Sequence, residues 1–207
     1  MRTVKYCGIR TLEDYEMVSE SLGSYVGFIF YEKSKRFVTP EAVKGWGPKA
    51  KRHVGVFVNA SDEWIDHCIT HASLDVVQLH GTESLSDIQR IKNRYEVEVW
   101  KAIPHGEDTI SLIHTYAPHV GALLLDSKVD NAFGGTGKTF DWSFLPKYME
   151  VMETYETPLF VAGGITVDKI HSLLTYDPFG IDLSSGIEED GKKSKQKLQE
   201  IEREIQK

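Results

Sequence analysis

The apolar run at residues 122–126, Ala-Leu-Leu-Leu-Asp, shows no alternation of polar and apolar positions and ends in one aspartate. Such a short continuous run is typical of a strand that is buried on both faces, as strands are in parallel sheets. Similar runs recur along the chain, and most begin roughly 20 to 25 residues apart, which leaves room for a helix and two loops. The predicted strands are Thr3–Cys7, Tyr25–Phe30, His53–Val58, Val76–Leu79, Val97–Ala102, Ala122–Asp126, Leu159–Ala162 and Gly180–Leu183.

Amphipathic segments between these runs predict helices. Helix starts with a hydroxyl residue followed by an acidic residue occur at Thr11, Ser61, Thr82 and Thr166, and such residues satisfy free backbone N–H groups. The charged tail over residues 193–207 has apolar residues at helical spacing and predicts the last helix, with a solvated charged face. Eight alternating units predict an α/β fold, a single (β/α)8 TIM barrel domain over residues 1–207. A doubly wound open sheet is the alternative.

Composition limits the classes of function. The 207 residues carry a formal net charge of −7, which argues against a nucleic-acid partner because nucleic acids require a basic face. The negative charge does not exclude a small anionic substrate, because local backbone dipoles can bind an anion inside an acidic protein. Two cysteines, without CxxC or a Cys/His cluster, predict no disulfide framework, no metal site and a reducing cytoplasm. No signal peptide or bilayer-length apolar run is present in the sequence, so no membrane partner is expected.

Cys7 closes the first predicted strand, next to Gly8 and just before a helix start. Lys5, Arg10 and the helix N-terminus are expected to lower the pKa of this thiol from about 8.5, which suits it as a base or a nucleophile. The alternative is a small buried residue, since free cysteines are often buried. Cys68, inside a helical pattern, is predicted to be of that structural kind.

Other polar residues also follow predicted strands, where the loops of a barrel build the active site. Asp126 emerges from an apolar wall that favours the protonated form, as a general acid requires; a turn cap is the alternative. Arg36 follows the second strand and is suited to grip a carboxylate through two hydrogen bonds, unless it belongs to a solvated basic loop. His80 has no partner ligands nearby in sequence, so we expect it to line the pocket rather than to bind a metal.

Two loops rich in small residues follow the seventh and eighth strands. They contain Gly163 and Gly164 in the first, and Ser184, Ser185 and Gly186 in the second. Glycine lets backbone N–H groups approach an anion, and the loops after these two strands form the usual phosphate site of a TIM barrel. We therefore expect a phosphate cradle, with ordinary tight turns as the alternative. Asp182 is expected to orient backbone N–H groups of the second loop.

A further glycine-rich segment, Gly134–Lys138, follows the sixth strand. It lacks the GxxxxGK[ST] spacing of a nucleotide-binding loop. We interpret it as a lid over the sixth strand.

Nine short segments that occur in a fixed order indicate a protein family more specifically than any one of them does alone. These segments are Lys5–Arg10, Gly27–Phe30, Ser34–Arg36, Gly55–Asn59, Gln78–Gly81, Leu125–Ser127, Gly134–Gly137, Ala162–Gly164 and Gly180–Glu188. In this order they resemble the phosphoribosylanthranilate isomerase family of tryptophan biosynthesis, from the first strand to the last.

The resemblance implies an Amadori rearrangement of N-(5-phosphoribosyl)anthranilate to 1-(2-carboxyphenylamino)-1-deoxyribulose 5-phosphate. It implies that Cys7 is the general base and Asp126 the general acid, and that Arg36 pairs with the anthranilate carboxylate. The phosphate of a small phosphosugar substrate would lie on the two small-residue loops, and neither a metal nor a redox cofactor is implied. Monomer and homodimer both stay open.

Three other functions are weighed against this one. The first is another phosphosugar barrel. An indole-glycerol-phosphate synthase would require a strand-end lysine paired with a catalytic glutamate. A pentose-phosphate epimerase would require metal-binding His and Asp at several strand ends. A barrel that binds a phosphosugar without turning it over would be favoured by loss of Cys7 or Asp126, and both are present. A redox thiol module would require a resolving cysteine.

Overall fold

The computed structural model describes residues 2–127 and 139–207. Within them, eight parallel strands are hydrogen-bonded in sequence order and close into a barrel. Their bounds are β1 Thr3–Cys7, β2 Tyr25–Ile29, β3 Arg52–Phe57, β4 Val76–Leu79, β5 Glu98–Pro104, β6 Ala122–Asp126, β7 Leu159–Val161 and β8 Gly180–Leu183. The predicted TIM barrel is confirmed, and the open doubly wound sheet is wrong because β1 pairs with both β2 and β8.

Helices follow the strands around the outside of this barrel. They are α1 Leu12–Ser19, α2 Pro40–Lys44, α3 Asp62–Ala72, α4 Leu85–Arg94, α5 Thr109–Tyr116, α6 Leu145–Glu153, α7 Val167–Leu174 and α8 Lys195–Ile205, with 3-10 turns at Ala117–His119, Trp142–Phe144 and Ser185–Ile187. Thr11 and Ser61 accept hydrogen bonds from N–H groups of the first turn, as predicted. Helix α4 begins two residues later than predicted from Thr82, because Ser84 forms the capping box with Asp87.

The segment after β8 differs from its prediction. Glu188–Glu189 (β9) and Lys192–Lys193 (β10) form an antiparallel hairpin, and α8 begins only at Lys195. Asp190 and Gly191 both have positive φ, +48° and +77°, which is the arrangement that an Asp-Gly hairpin turn adopts. Lys193 therefore lies outside the helix, and its side chain is 1% exposed rather than solvated.

Burial on both faces explains the unbroken apolar run of β6. Ala122 and Leu124 belong to a cluster contributed mainly by strands, which fills the barrel interior together with Trp100 and Phe160. Leu123 and Leu125 instead join the larger core shared by strands and helices. No position of β6 faces water, so no alternation of polar and apolar residues is selected.

The predicted lid, Gly134–Lys138, lies outside the described residues. Among residues 2–127 and 139–207, no helix combines the length and apolar character needed to cross a membrane.

Candidate active site

One pocket lies where the strands of the barrel end. It is lined by every residue that the sequence predicted for the site, namely Cys7, Arg36, His80, Asp126, Gly163, Gly164, Asp182, Ser184, Ser185 and Gly186. Cys7 ends β1 and Asp126 ends β6, and these strands are not neighbours in the closed barrel. The thiol and the carboxylate therefore approach the pocket from different sides of its wall.

Cys7 lines this pocket and is buried, with 6% of the residue exposed. Burial raises the pKa of Cys7 above its ordinary value, although the Lys5 ammonium opposes the rise. The prediction of a lowered pKa is wrong for the pocket in this structure, because desolvation outweighs the nearby cations. Arg10 is not among those cations, since its guanidinium donates to the backbone oxygens of Lys35 and Gly191.

Lys5 lies on the same face of β1 as Cys7 and is fully buried. Its ammonium donates to Asp182 Oδ1 at 2.9 Å, and the two residues lie opposite each other in the register of β1 and β8. Asp182 was expected to orient backbone N–H groups. Among the described residues its carboxylate instead accepts from Lys5, because a buried ammonium requires an ionic partner.

Asp126 is held by two donors. Oδ1 accepts from the N–H of Ser127 at 2.8 Å, and Oδ2 lies 3.2 Å from His80 Nε2. The other ring nitrogen of His80 lies 3.3 Å from Gln78 Nε2, and an amide N–H donated there leaves the ring proton on Nε2. His80 thus lines the pocket as predicted and also orients the Asp126 carboxylate.

Arg36 grips a carboxylate through two hydrogen bonds, but the carboxylate belongs to the protein. Nε and Nη2 donate to the two oxygens of Glu188 at 2.7 and 2.6 Å. Although burial opposes it, hydrogen bonds from Arg36 and Lys193 lower the pKa of Glu188 to about 2. This pair uses two of the five guanidinium N–H groups, and among the described residues the remaining ones, on Nη1 and Nη2, are available to a ligand. The predicted contact of Arg36 with a substrate carboxylate therefore stays a prediction.

The two small-residue loops pack against each other through backbone. Gly163 and Gly164 have φ of +87° and +61°, conformations that side chains with a β-carbon rarely adopt. A β-carbon on Gly186 would lie 1.7 Å from Ile165 O, so only glycine allows the β7 and β8 loops this close together. Their N–H groups can therefore reach an anion in the pocket without obstruction by side chains.

The sequence model of the family described as N-(5'phosphoribosyl)anthranilate (PRA) isomerase matches residues 4–204. The chain belongs to this family. The N-(5'-phosphoribosyl)anthranilate isomerase of Bacillus licheniformis is 43% identical over 204 residues, which cover 97% of this chain and 93% of that protein. The phosphoribosyl anthranilate isomerase of Thermotoga maritima superposes with a TM-score of 0.87 at 34% identity, covering 100% of this chain and 99% of that one.

A further solved structure of the isomerase family carries a ligand. It is a phosphoribosyl anthranilate isomerase in complex with reduced 1-(o-carboxyphenylamino)-1-deoxyribulose 5-phosphate. This chain matches it with a TM-score of 0.81 and 30% identity, over 100% of this chain and 99% of that one.

Lys193 is a residue of this isomerase-family site that sequence reasoning missed. Its ammonium donates to Cys7 O at 2.7 Å, Ser184 O at 3.0 Å and Glu188 Oε1 at 2.8 Å. It therefore joins the end of β1, the β8 loop and the partner of Arg36. The Asp190-Gly191 pair was the signal that placed Lys193 in a hairpin, whereas the charged tail favoured a helix.

A second missed cluster supports the loop that carries His80. The buried carboxylate of Glu83 accepts from the N–H groups of Asn59 and Gly81 and from Lys101 Nζ. Glu83 thereby ties the loops after β3 and β4 together. No motif in the sequence marks the contacts with Asn59 and Lys101, since these residues lie 24 and 18 residues from Glu83 along the chain.

Proposed function

We propose that this chain isomerises N-(5'-phosphoribosyl)anthranilate to 1-(2-carboxyphenylamino)-1-deoxyribulose 5-phosphate, a step of tryptophan biosynthesis, with Asp126 as general acid and Cys7 as general base. The observation that carries these roles is the presence of both groups in one pocket with the two small-residue loops. A sugar phosphate on those loops would place its reacting carbons between the β1 and β6 ends of the barrel.

The acid step opens the sugar ring. Asp126 donates a proton to the ring oxygen while the C1–O bond breaks and the nitrogen lone pair forms a C1–N double bond. His80 and the Ser127 N–H keep two donors on the carboxylate, and these stabilise the charge that appears once the proton has left.

The base step moves the double bond. The Cys7 thiolate removes the proton from C2 and gives an enolamine, which becomes the ketone when C1 gains a proton and the C2 hydroxyl loses its proton. The reaction is an isomerisation, so it consumes no co-reactant, and general acid–base steps of this kind contribute ~10² to 10⁴ each in rate.

Binding of the substrate anions follows from the same pocket. The phosphate would accept from backbone N–H groups of the β7 and β8 loops, at the usual phosphate site of the fold. Arg36 Nη1 would contact the anthranilate carboxylate, while Glu188 holds the rest of the guanidinium in place. The relative that binds a reduced carboxyphenylamino-deoxyribulose phosphate supports this ligand class.

Steady-state kinetics test the assignment. Fresh phosphoribosylanthranilate is followed by the loss of its fluorescence with wild type, Cys7→Ala and Asp126→Asn, and with Cys68→Ala as the control, because Cys68 is buried in α3 away from the pocket. We expect kcat to fall by at least 10²-fold in the two site variants and to change little in the control. Near-normal kcat in either folded site variant would remove that residue from its role. Binding without turnover by the wild type would make the protein a phosphosugar-binding barrel instead.

Domain extent, cellular location and oligomeric state complete the proposed function. We propose one domain over residues 1–207, a cytoplasmic location, and a monomer or a homodimer in solution. A relative from Thermotoga maritima is described as dimeric, and light scattering after gel filtration measures the state of this chain directly.

A further inference from the structure

The base proposed for the reaction is buried where burial disfavours its charged form. Cys7 lines the pocket with little exposure, and desolvation raises its pKa. A thiol removes a proton from carbon only as the thiolate. Some group in the pocket must therefore stabilise a negative charge on Sγ.

The register of the barrel places Lys5 in the position to do so. Cys7 lies opposite Gly27 of β2, and a β-carbon built on Gly27 would be 2.9 Å from Cys7 Sγ and 3.1 Å from Lys5 Nζ. The thiol and the ammonium thus meet in the space that a side chain at position 27 would fill. Asp182 anchors the ammonium at 2.9 Å from the other side.

We propose that Lys5 is a positioning residue for the base: its buried ammonium, anchored by Asp182, donates a hydrogen bond to the Cys7 thiolate through the gap left by Gly27. This proposal rests on the proposed role of Cys7. Activated nucleophiles in other enzymes have the same three parts, in which a third group, here Asp182, orients the partner of the reacting atom.

The other charged groups around Cys7 act differently. Lys193 of β10 donates to the carbonyl oxygen of Cys7 rather than to its sulfur. Arg36, from the loop after β2, is engaged by Glu188 through two hydrogen bonds. Asp182 of β8 carries a negative charge that disfavours the thiolate, and Lys5 lies between the two. Lys5 is therefore the cation whose removal changes the state of the thiol most directly.

Alkylation of Cys7 tests the proposal without any turnover. In a Cys68→Ala background Cys7 is the only thiol, and its rate with iodoacetamide is measured against pH. The main variant, Lys5→Met with Asp182→Asn, replaces the buried ion pair by a neutral pair, which avoids leaving one buried charge alone. The loss of Lys5, whose effect on the thiol is the larger of the two, outweighs the loss of the Asp182 charge that disfavours the thiolate. We therefore expect the alkylation midpoint to rise by about one pH unit, so that the rate near neutral pH falls about tenfold.

A second variant carries the test if the first does not fold. Gly27→Ala keeps both charges and inserts a methyl group between them, so the midpoint is expected to move in the same direction. The acidic limb of kcat/KM against pH should move with the alkylation midpoint in either variant. An unchanged midpoint in either folded variant would overturn the proposal. If the midpoint moves but Cys7→Ala still turns over substrate normally, Lys5 keeps its effect on the thiol and the proposed base is wrong.

An independent cluster on the outer surface suggests a cation site. Glu41 of α2 and His67 and His71 of α3 bring one ligand atom each to within 4.8 Å of one another. His67 Nε2 lies 2.5 Å from Glu41 Oε1. His71 Nδ1 lies 2.9 Å from His67 O, and an N–H donated there leaves the Nε2 lone pair of His71 for a metal.

We infer that Glu41, His67 and His71 form a site for a late first-row divalent cation such as Zn²⁺. Two imidazoles and one carboxylate are a ligand set that suits zinc, with water in the fourth position. The two histidines are one helical turn apart on α3, and Glu41 approaches from the neighbouring α2, so a bound ion would join these two helices. The His-x-x-x-His spacing was visible in the sequence, where no metal site was expected.

Binding and thermal unfolding are measured with ZnCl₂ in a buffer without chelators. Titration calorimetry should give binding at about one ion per chain, with a rise in Tm as Zn²⁺ is added, because a ligand of the folded state stabilises it. His71→Ala and Glu41→Gln should each weaken binding at least tenfold, whereas His114→Ala, at an exposed histidine on α5, should not. Co²⁺ absorption of tetrahedral intensity reports the coordination. Equal affinity in His71→Ala and the wild type would overturn the site.

Discussion

Replacement of Lys193 by methionine should destabilise the protein and its active site together. The Lys193 ammonium is buried and donates to three acceptors, Cys7 O, Ser184 O and Glu188 Oε1. Methionine has a similar length and no donor, so all three hydrogen bonds are lost. Glu188 stays paired because Arg36 still donates to both of its oxygens.

The magnitude follows from the two carbonyl groups. A buried acceptor left without its donor costs about 1–3 kcal/mol, and part of that is offset because the ammonium no longer has to be desolvated. We therefore expect the free energy of unfolding to fall by about 2–4 kcal/mol. Because the end of β1 and the β8 loop lose their common anchor, kcat/KM should also fall by about 10²-fold, as small displacements of positioned groups do.

Urea unfolding and steady-state kinetics measure the two effects. Lys192→Met is the matched control, because Lys192 is the adjacent residue in β10 and is exposed. The reasoning fails if Lys193→Met loses less than about 1 kcal/mol with unchanged kcat/KM, or if Lys192→Met has the same effect.

Three further perturbations follow from the site. Gly186→Ala, which would press a β-carbon against Ile165 O, should raise KM by at least about tenfold. Gly45→Ala, whose β-carbon would lie at an ordinary contact distance of 3.4 Å from Ala42 O, should leave the kinetics unchanged. Arg36→Ala should raise KM far more than it lowers kcat, and an equal KM would remove Arg36 from substrate binding. The pKa of Glu188 is lowered to about 2, so its charged carboxylate stabilises the fold above the pKa it has in the unfolded chain, and this stabilisation is lost as pH falls toward 2. Between these two pKa values, the free energy of unfolding of Glu188→Gln should depend less on pH than that of the wild type. An identical pH profile would contradict the lowered pKa of Glu188.

The pattern of short apolar runs was sufficient to predict the barrel. Runs such as β6 are buried on both faces, so they show no alternation of polar and apolar positions, and their spacing admits one crossover each. Because parallel strands present all their C-terminal ends on one side, residues at strand exits had to meet. For this reason ten site residues spread from Cys7 to Gly186 could be assigned to a single pocket.

Side-chain partners were less predictable. The pKa of Cys7 was expected to fall, because the sequence shows the nearby cations but not the depth of burial that outweighs them. Arg36 was expected to hold a substrate carboxylate, and its two-bond contact is with Glu188. The raised pKa of Cys7 and the pairing of Arg36 with Glu188 could not be predicted for the same reason, since desolvation and pairing depend on atoms that are far away in sequence.

The sequence by itself determined the architecture, the positions of Asp126, Cys7 and the two small-residue loops at the strand exits, and the family. These properties depend on periodicity and on the order of strand exits, which are local along the chain. Only the tertiary structure decided which charges meet: Lys5 with Asp182, Arg36 with Glu188, and Lys193 with the end of β1. Closure of the barrel brings β8 and its hairpin beside β1, so the partners of the Lys5 ammonium and of the Cys7 carbonyl come from the opposite end of the chain.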